Sequence, residues 1–375
     1  MTATASPASR AAEILSRPVA LNGLTVPNRI VMAPMTRMFS PGGVPGEDVR
    51  SYYARRAAAG VGLIVTEGTY VGHDSAGQSD RVPRFHGEEQ LAGWAKVAED
   101  VHAAGGTIVP QLWHIGMVRQ QGQAPYPDAP AMGPVRHPHR RTEGTGKEMT
   151  RSDLDDVIGA FAEAAAAAER IGFDGVELHG AHGYLIDQFL WAVDEPAHRR
   201  VRRRPRGPYE VRGRDRGRGP RVRLARLPGA LPLLAVEAGR LRRPARRDPG
   251  GAGGDPDPAG RRRCRRVPRL HPPPLDPRVR RLGPHLAGWT QKLTGLPAIT
   301  VGSVGLDGDF IHAFAGAGAP VQGIDELLDR LERDEFDMVA VGRALLQDPE
   351  WAAKVLAGRT DELKPYDAAA VKTLS

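Results

Sequence analysis

The 375-residue chain contains one cysteine, Cys264. A single thiol excludes a disulfide framework, a Cys-ligated metal and an iron–sulfur cluster built within the chain. No apolar run approaches the roughly 18 residues of a membrane span. The opening stretch, MTATASPASRAAEIL, lacks the apolar core of a secretory signal. A cytoplasmic protein with a short, flexible start over residues 1–13 is expected. No G-x-G-x-x-G follows the first strand-like segment, which argues against a doubly wound dinucleotide-binding sheet.

A second absence is local. Residues 196–285 contain no Ser, Thr, Asn, Gln, Lys, Ile, Phe, Met or Trp. Ordinary disordered segments are enriched in Ser, Gln and Lys, so this is not their composition. The 27 arginines here, against 7 acidic residues, contribute +20 to a chain whose net charge is +8, which leaves −12 for the remainder. The basic pI of 9.9 therefore comes from one segment attached to an acidic protein. Arg, Pro, Gly and Ala have GC-rich codons, and the segment reads like a GC-rich gene translated out of frame. Shifted by one base, VDEPAHRRV (193–201) is compatible with WTNRRTDAY. The same shift makes AGRRRCRRVPR (259–269) compatible with LVDAGVDVFH, a helix end, a glycine and a strand. The expectation is a frame change near Val193 and a compensating one near His285, which leaves 193–285 aberrant and without a stable fold.

Elsewhere strands and helices alternate. RIVMAPMTR (29–37), VGLIVTEGTYV (61–71), TIVPQLWH (107–114), DGVELHG (174–180), AITVGSVG (298–305) and FDMVAVGRALL (336–346) read as strands. They are continuous apolar runs, as expected when both faces of a parallel sheet are covered. Between them, residues 88–106 carry Leu91, Trp94, Ala95, Ala98 and Val101 on one helical face. Thr150 and Asp153 form a predicted capping box ahead of the stripe Leu154, Val157, Ile158 and Phe161. A loop of about 35 residues precedes that helix, long enough to be a lid. Polar residues and glycines gather at the strands' C-terminal ends, where a (β/α)8 barrel of the TIM type carries its site. The expected fold class is α/β: a barrel divided into 14–192 and 286–364, its fifth and sixth β/α units disrupted by the Arg/Pro/Gly-rich segment, with a tail over 365–375. With two of eight strands lost, the barrel is not expected to close.

APMTR (33–37), QLWHIG (111–116), GFDGVELHGAHGYLIDQFL (172–190), TVGSVG (300–305) and DMVAVGRALLQDP (337–349) together resemble the Old Yellow Enzyme family. Its members are FMN-dependent NAD(P)H oxidoreductases and ene-reductases on a (β/α)8 barrel. The resemblance implies that His179 and His182 donate hydrogen bonds to a substrate carbonyl or nitro oxygen, and that Tyr184 protonates the α-carbon. It places Pro34, Met35, Thr36, Gly68, Gln111 and His179 around the flavin, with Thr36 near the C4 oxygen and Gln111 on the pyrimidine edge. Gly302, Ser303, Gly342 and Arg343 match the FMN phosphate site. The implied partners are FMN, NADH or NADPH as reductant, and a small enone-type substrate. Neither nucleic acid nor membrane is expected, and a homo-oligomer is compatible with the pattern. No metal ligand is assigned. The family's basic residue on the fifth strand has no in-frame counterpart, so the chain as written is expected to bind FMN poorly or to be inactive.

Structural readings of the same residues stand beside these. His179 and His182 could be packed histidines, Tyr184 a loop aromatic, and Gly342–Arg343 a helix start with a surface arginine. Two functions of other classes also remain open at this stage. One is a metal-dependent barrel hydrolase using His114 with the histidine pair. The other is a nucleic-acid binder acting through the basic segment.

Overall fold

The computed structural model describes residues 7–21, 23–134, 146–190, 231–235, 267–270, 286–308 and 316–375. Eight parallel strands form a closed barrel: β1 (Ile30–Met32), β2 (Leu63–Tyr70), β3 (Thr107–Trp113), β4 (Gly175–His179), β5 (Leu231–Ala235), β6 (Val267–Leu270), β7 (Ile299–Val301) and β8 (Met338–Val341). Each pairs with the next in chain order, and β8 returns to β1 through Val339↔Ile30 and Val341↔Met32. This is the (β/α)8 architecture expected.

Closure corrects one expectation. β5 and β6 lie inside 193–285, the segment expected to form no strands, and they pair with β4, with each other and with β7. The fifth and sixth positions of the barrel are therefore filled. Each of these strands contains a proline, Pro232 or Pro268, and so lacks one ladder N–H. The rest of 193–285 lies outside the described residues.

The apolar runs form strands for the reason the sequence suggests. Neighbouring residues alternate between two buried environments. Val31, Leu63, Val65, Val109, Ile299, Val301, Met338 and Ala340 fill the barrel interior, which is closed below by Val19, Leu21 and Val26. Those three come from a hairpin, Val19–Leu21 with Leu24–Val26. Ile30, Ile64, Ile108, Val176, Val339 and Val341 face outward onto the helical layer with Trp94, Val101, Ala164, Ala168 and Trp351.

The described helices include α1 (Pro7–Leu15), α2 (Glu47–Ala58), α3 (Glu88–Ala103), α4 (Arg151–Arg170) and α5 (Leu185–Leu190). Later in the chain come α6 (Leu286–Thr294), α7 (Asp325–Glu332), α8 (Arg343–Gln347) and α9 (Trp351–Leu356). α4 starts with the predicted capping box, in which the Thr150 side chain accepts from Asp153 N–H and Asp153 accepts in return from Thr150 N–H. α1 lies partly within the stretch expected to be a flexible start. Ile14 and Leu15 are buried and Arg10 pairs with Asp329 and Glu332, so the helix is held from Arg10 onward. The segment 336–346 is not one strand: β8 ends at Val341, and Arg343 opens α8. In the long loop before α4, residues 132–133 and 147–148 pair as a two-stranded ribbon. Residues 135–145 of that expected lid lie outside the described residues.

Candidate active site

Alternation along β3 puts Val109, Gln111 and Trp113 on one face, and along β4 it does the same for Gly175, Glu177 and His179. Val109 belongs to the barrel interior, so the last two residues of each set stack upward to the C-terminal rim. Gln111 and Glu177 are register partners. The Gln111 Nε2 donates to Glu177 Oε1 at 2.7 Å, with both residues buried. Above them, the Trp113 and His179 rings stack with centroids 5.7 Å apart.

β4 then turns sharply. His182 adopts φ 61° and Gly183 φ 77°, so two consecutive residues occupy the left-handed region, which costs the histidine some strain. The turn is held by side chains. Gly183 N–H donates to Asp187 Oδ2 at 2.7 Å, and Gln188 Nε2 donates to the Gly183 carbonyl at 2.7 Å. This returns His182 and Tyr184 over the rim beside His179. The His182 Nδ1 and His179 Nε2 lie 3.4 Å apart. The Tyr184 ring packs edge-on to His179 at 4.9 Å and to Trp113 at 4.8 Å. The three catalytic candidates thus form one cluster with Trp113. His182 is exposed, Tyr184 half-buried and His179 buried.

The adjoining wall is built at the ends of β1 and β2. Glu67 is fully buried, and its Oε2 accepts from the Arg37 N–H (2.8 Å) and the Met38 N–H (3.2 Å). This clamps the segment carrying Pro34, Met35 and Thr36, and Met38 is left at φ 63°. Burial pushes the Glu67 carboxyl up to about 7, against the opposing effect of those two N–H bonds and the Arg37 charge. Its Oε1 has no hydrogen-bond partner among the described residues. Register slips between Val65 and Gly68, and Gly68 then pairs with Gln111. A Cβ on Gly68 would sit 2.6 Å from Trp113 Cε3 and 3.3 Å from Gln111 Oε1. Only glycine fits there, because Trp113 and Gln111 fill the space a side chain would take.

The predicted phosphate residues also meet. Gly302 (φ 145°) and Ser303 (φ 39°) follow β7. Arg343 Nη2 donates to Ser303 Oγ at 3.0 Å and to the Gly308 carbonyl at 2.6 Å. Gly342 lies beside Met35, whose Sδ would be 3.6 Å from an added Cβ. Strand β5 carries no basic residue between Leu231 and Ala235.

These groups fit FMN. An amide oxygen beside a bare glycine suits a planar ring with polar edges, the exposed Thr36 hydroxyl lies on the same rim, and a Gly–Ser pair joined to an arginine suits an anionic tail. A metal hydrolase finds no support in the same geometry. His114 is buried against His73 at 5.3 Å, its Nδ1 accepts from Gly116 N–H, and burial lowers it to about 3. No group of three His, Cys, Asp or Glu residues suited to a metal stands together among the described residues. No described helix is long and apolar enough to cross a membrane.

Sequence reasoning placed Glu67 among the polar residues at the strand ends but gave it no role, and missed Trp113 and Glu177 as parts of the site. Trp113 stood within QLWHIG, but its stacking partner lies 66 residues away. The two carboxylates stood in apolar strands, where a buried acid signals a specific partner.

A closed parallel barrel with polar groups gathered on its C-terminal rim defines the class. Comparison with known proteins then gives a match for the first half of the chain: residues 15–195 match the model of the NADH:flavin oxidoreductase / NADH oxidase family. The chain is 39% identical over 174 residues to 12-oxophytodienoate reductase 7 of Oryza sativa subsp. japonica, covering 44% of each chain. It is 35% identical over 185 residues to 12-oxophytodienoate reductase 2 of Arabidopsis thaliana, covering 47% of this chain and 49% of the relative. The chain thus spans about half the length of these curated relatives. Among solved structures, Old Yellow Enzyme from a Pichia species superposes with TM-score 0.66 at 19% identity, covering 95% of this chain and 89% of that one. Morphinone reductase in complex with tetrahydroNAD gives TM-score 0.64 at 21% identity, covering 95% and 93%. At these identities the superpositions establish the shared fold.

Proposed function

We propose that the protein is an FMN-dependent NAD(P)H oxidoreductase of the ene-reductase type, acting on activated alkenes such as α,β-unsaturated carbonyls. The observation that carries this reading is the rim cluster of His179, His182, Tyr184 and Trp113 beside the Gln111–Gly68 wall. FMN, when bound, supplies hydride exchange with a nicotinamide and then with an alkene.

The chain's own residues do the rest. Gln111, Thr36 and the backbone at Gly68 hold the ring's polar edges, while Ser303 and Arg343 hold the phosphate. His179 and His182 donate to the substrate's carbonyl oxygen, where negative charge develops as the β-carbon is reduced. The Tyr184 hydroxyl, packed at the edge of both His179 and Trp113, delivers the proton to the α-carbon. Trp113 and Tyr70, with ring centroids 5.2 Å apart, wall the site against water.

The same proposal covers the chain's organisation. Residues 14–192 and 286–364 are the two in-frame parts of the barrel, and 193–285 is an out-of-frame reading of its fifth and sixth units. In support, the shifted reading of 259–269 places a strand within a few residues of β6. The protein works in the cytoplasm on a small molecule, without nucleic acid.

The test is direct. Because the barrel closes, the purified chain is expected, despite the missing fifth-strand base, to show flavin absorbance after exposure to FMN, and to oxidise NADH or NADPH faster when a cyclic enone is added. A chain that stays colourless in excess FMN overturns the reading. The nucleotide sequence of codons 190–290 tests the frame proposal.

A further inference from the structure

We propose that Glu177 is a positioning residue for the Gln111 side chain, fixing which end of that amide faces the pyrimidine edge of bound flavin; this rests on the flavin reading above. The two ends of a glutamine amide are nearly equal in size and opposite in hydrogen-bonding sense. Packing alone cannot choose between them, yet the choice decides whether the site offers an acceptor or a donor.

Glu177 makes the choice. It lies opposite Gln111 in the β3–β4 register, is fully buried, and accepts from Gln111 Nε2 at 2.7 Å. A carboxylate accepts and does not donate, so Nε2 must stay on its side. The amide oxygen is thereby turned toward Gly68, where an added Cβ would lie 3.3 Å from it.

The backbone below is fixed separately, because Gln111 N–H donates to Thr66 Oγ1 at 3.2 Å, at the β2 register slip. The outcome is an acceptor held at the bare-glycine wall. The pyrimidine edge of a flavin has one N–H, at N3, between two carbonyl oxygens. An acceptor held at this wall complements that N–H, whereas the reversed amide would set donor against donor.

FMN affinity, measured by quenching of flavin fluorescence, tests the proposal on four full-length proteins: the parent, Glu177→Gln, Gln111→Ala and the double variant. Glu177→Gln is expected to weaken FMN about tenfold, the scale of one lost charge-assisted hydrogen bond. The double variant is expected to bind no worse than Gln111→Ala, because the carboxylate acts only through the amide. Parent-like affinity in Glu177→Gln, or losses that multiply in the double variant, overturns the proposal. Thermal melts without FMN check that each variant folds.

Should Glu177→Gln alone not fold, a swap carries the test. Gln111→Glu sets two carboxylates against each other, while Gln111→Glu with Glu177→Gln restores one donor and keeps an acceptor toward Gly68. The swap is expected to bind FMN better than Gln111→Glu, and a swap that binds no better overturns the proposal. A parent that takes up no FMN overturns the flavin reading and this proposal together, whereas a parent that binds while Glu177→Gln is unaffected overturns the proposal alone.

Discussion

Tyr184 and Glu67 show how one side chain takes its chemistry from its surroundings. Tyr184 is held edge-on to His179 and Trp113, so Tyr184→Phe keeps the packing and removes only the hydroxyl. Turnover of an enone is expected to fall about 10²-fold, with flavin reduction by NAD(P)H unchanged; stopped-flow measurement of the two half-reactions checks it. Glu67 governs pH dependence. Its carboxyl is raised from 4.5 to about 7 by burial, so the folded state holds the proton more tightly than the unfolded chain. The stability this confers is complete below pH 4.5 and is lost as pH rises through 7, by about 3 kcal/mol. Glu67→Gln removes that slope. The variant and parent are expected to melt alike near pH 5, with the variant more stable at pH 8; equal melting at both values would refute it.

Elements differ in how openly the sequence announced them. β1–β4, β7 and β8 were legible because uninterrupted apolar runs are what a doubly covered parallel strand requires. The capping box of α4 was legible because its two side chains sit three residues apart. β5 and β6 were not, because LPLLA and VPRL stand among arginines and contain prolines that disfavour interior strands. Only neighbouring strands on both sides define them. The missing ladder N–H groups have a measurable consequence. In hydrogen exchange, the amides of β5 and β6 are expected to lose protection about tenfold faster than those of β2 and β3, whose residues are almost all buried. Equal protection across all eight strands would show that the prolines carry no penalty.

At the scale of the whole molecule, the site is where distant stretches converge. Residues 34–38, 67–68, 111–113, 177–184, 302–303 and 342–343 come from six strand ends. A ligand bound by all of them stabilises the closed barrel by mass action. FMN at about 100 times its dissociation constant is expected to add about 2.7 kcal/mol, or roughly 3–4 °C in melting temperature. A chain with 193–285 restored to the alternative frame is expected to bind FMN more tightly than this one, if that frame supplies the fifth-strand basic residue that the resemblance to Old Yellow Enzyme implies. Titration of the two proteins side by side checks this, and equal affinities would count against the frame proposal.

Sequence alone determined the barrel class, the order of its units and most of the rim residues, because period-two burial and strand-end polarity are local properties that each stretch carries by itself. Closure through β5 and β6 was decided only by the tertiary structure. So were the Gln111–Glu177 pair and the clamp of Glu67 on Arg37 and Met38. Each depends on groups far apart in the chain being held within hydrogen-bonding distance, and no local pattern encodes a distance.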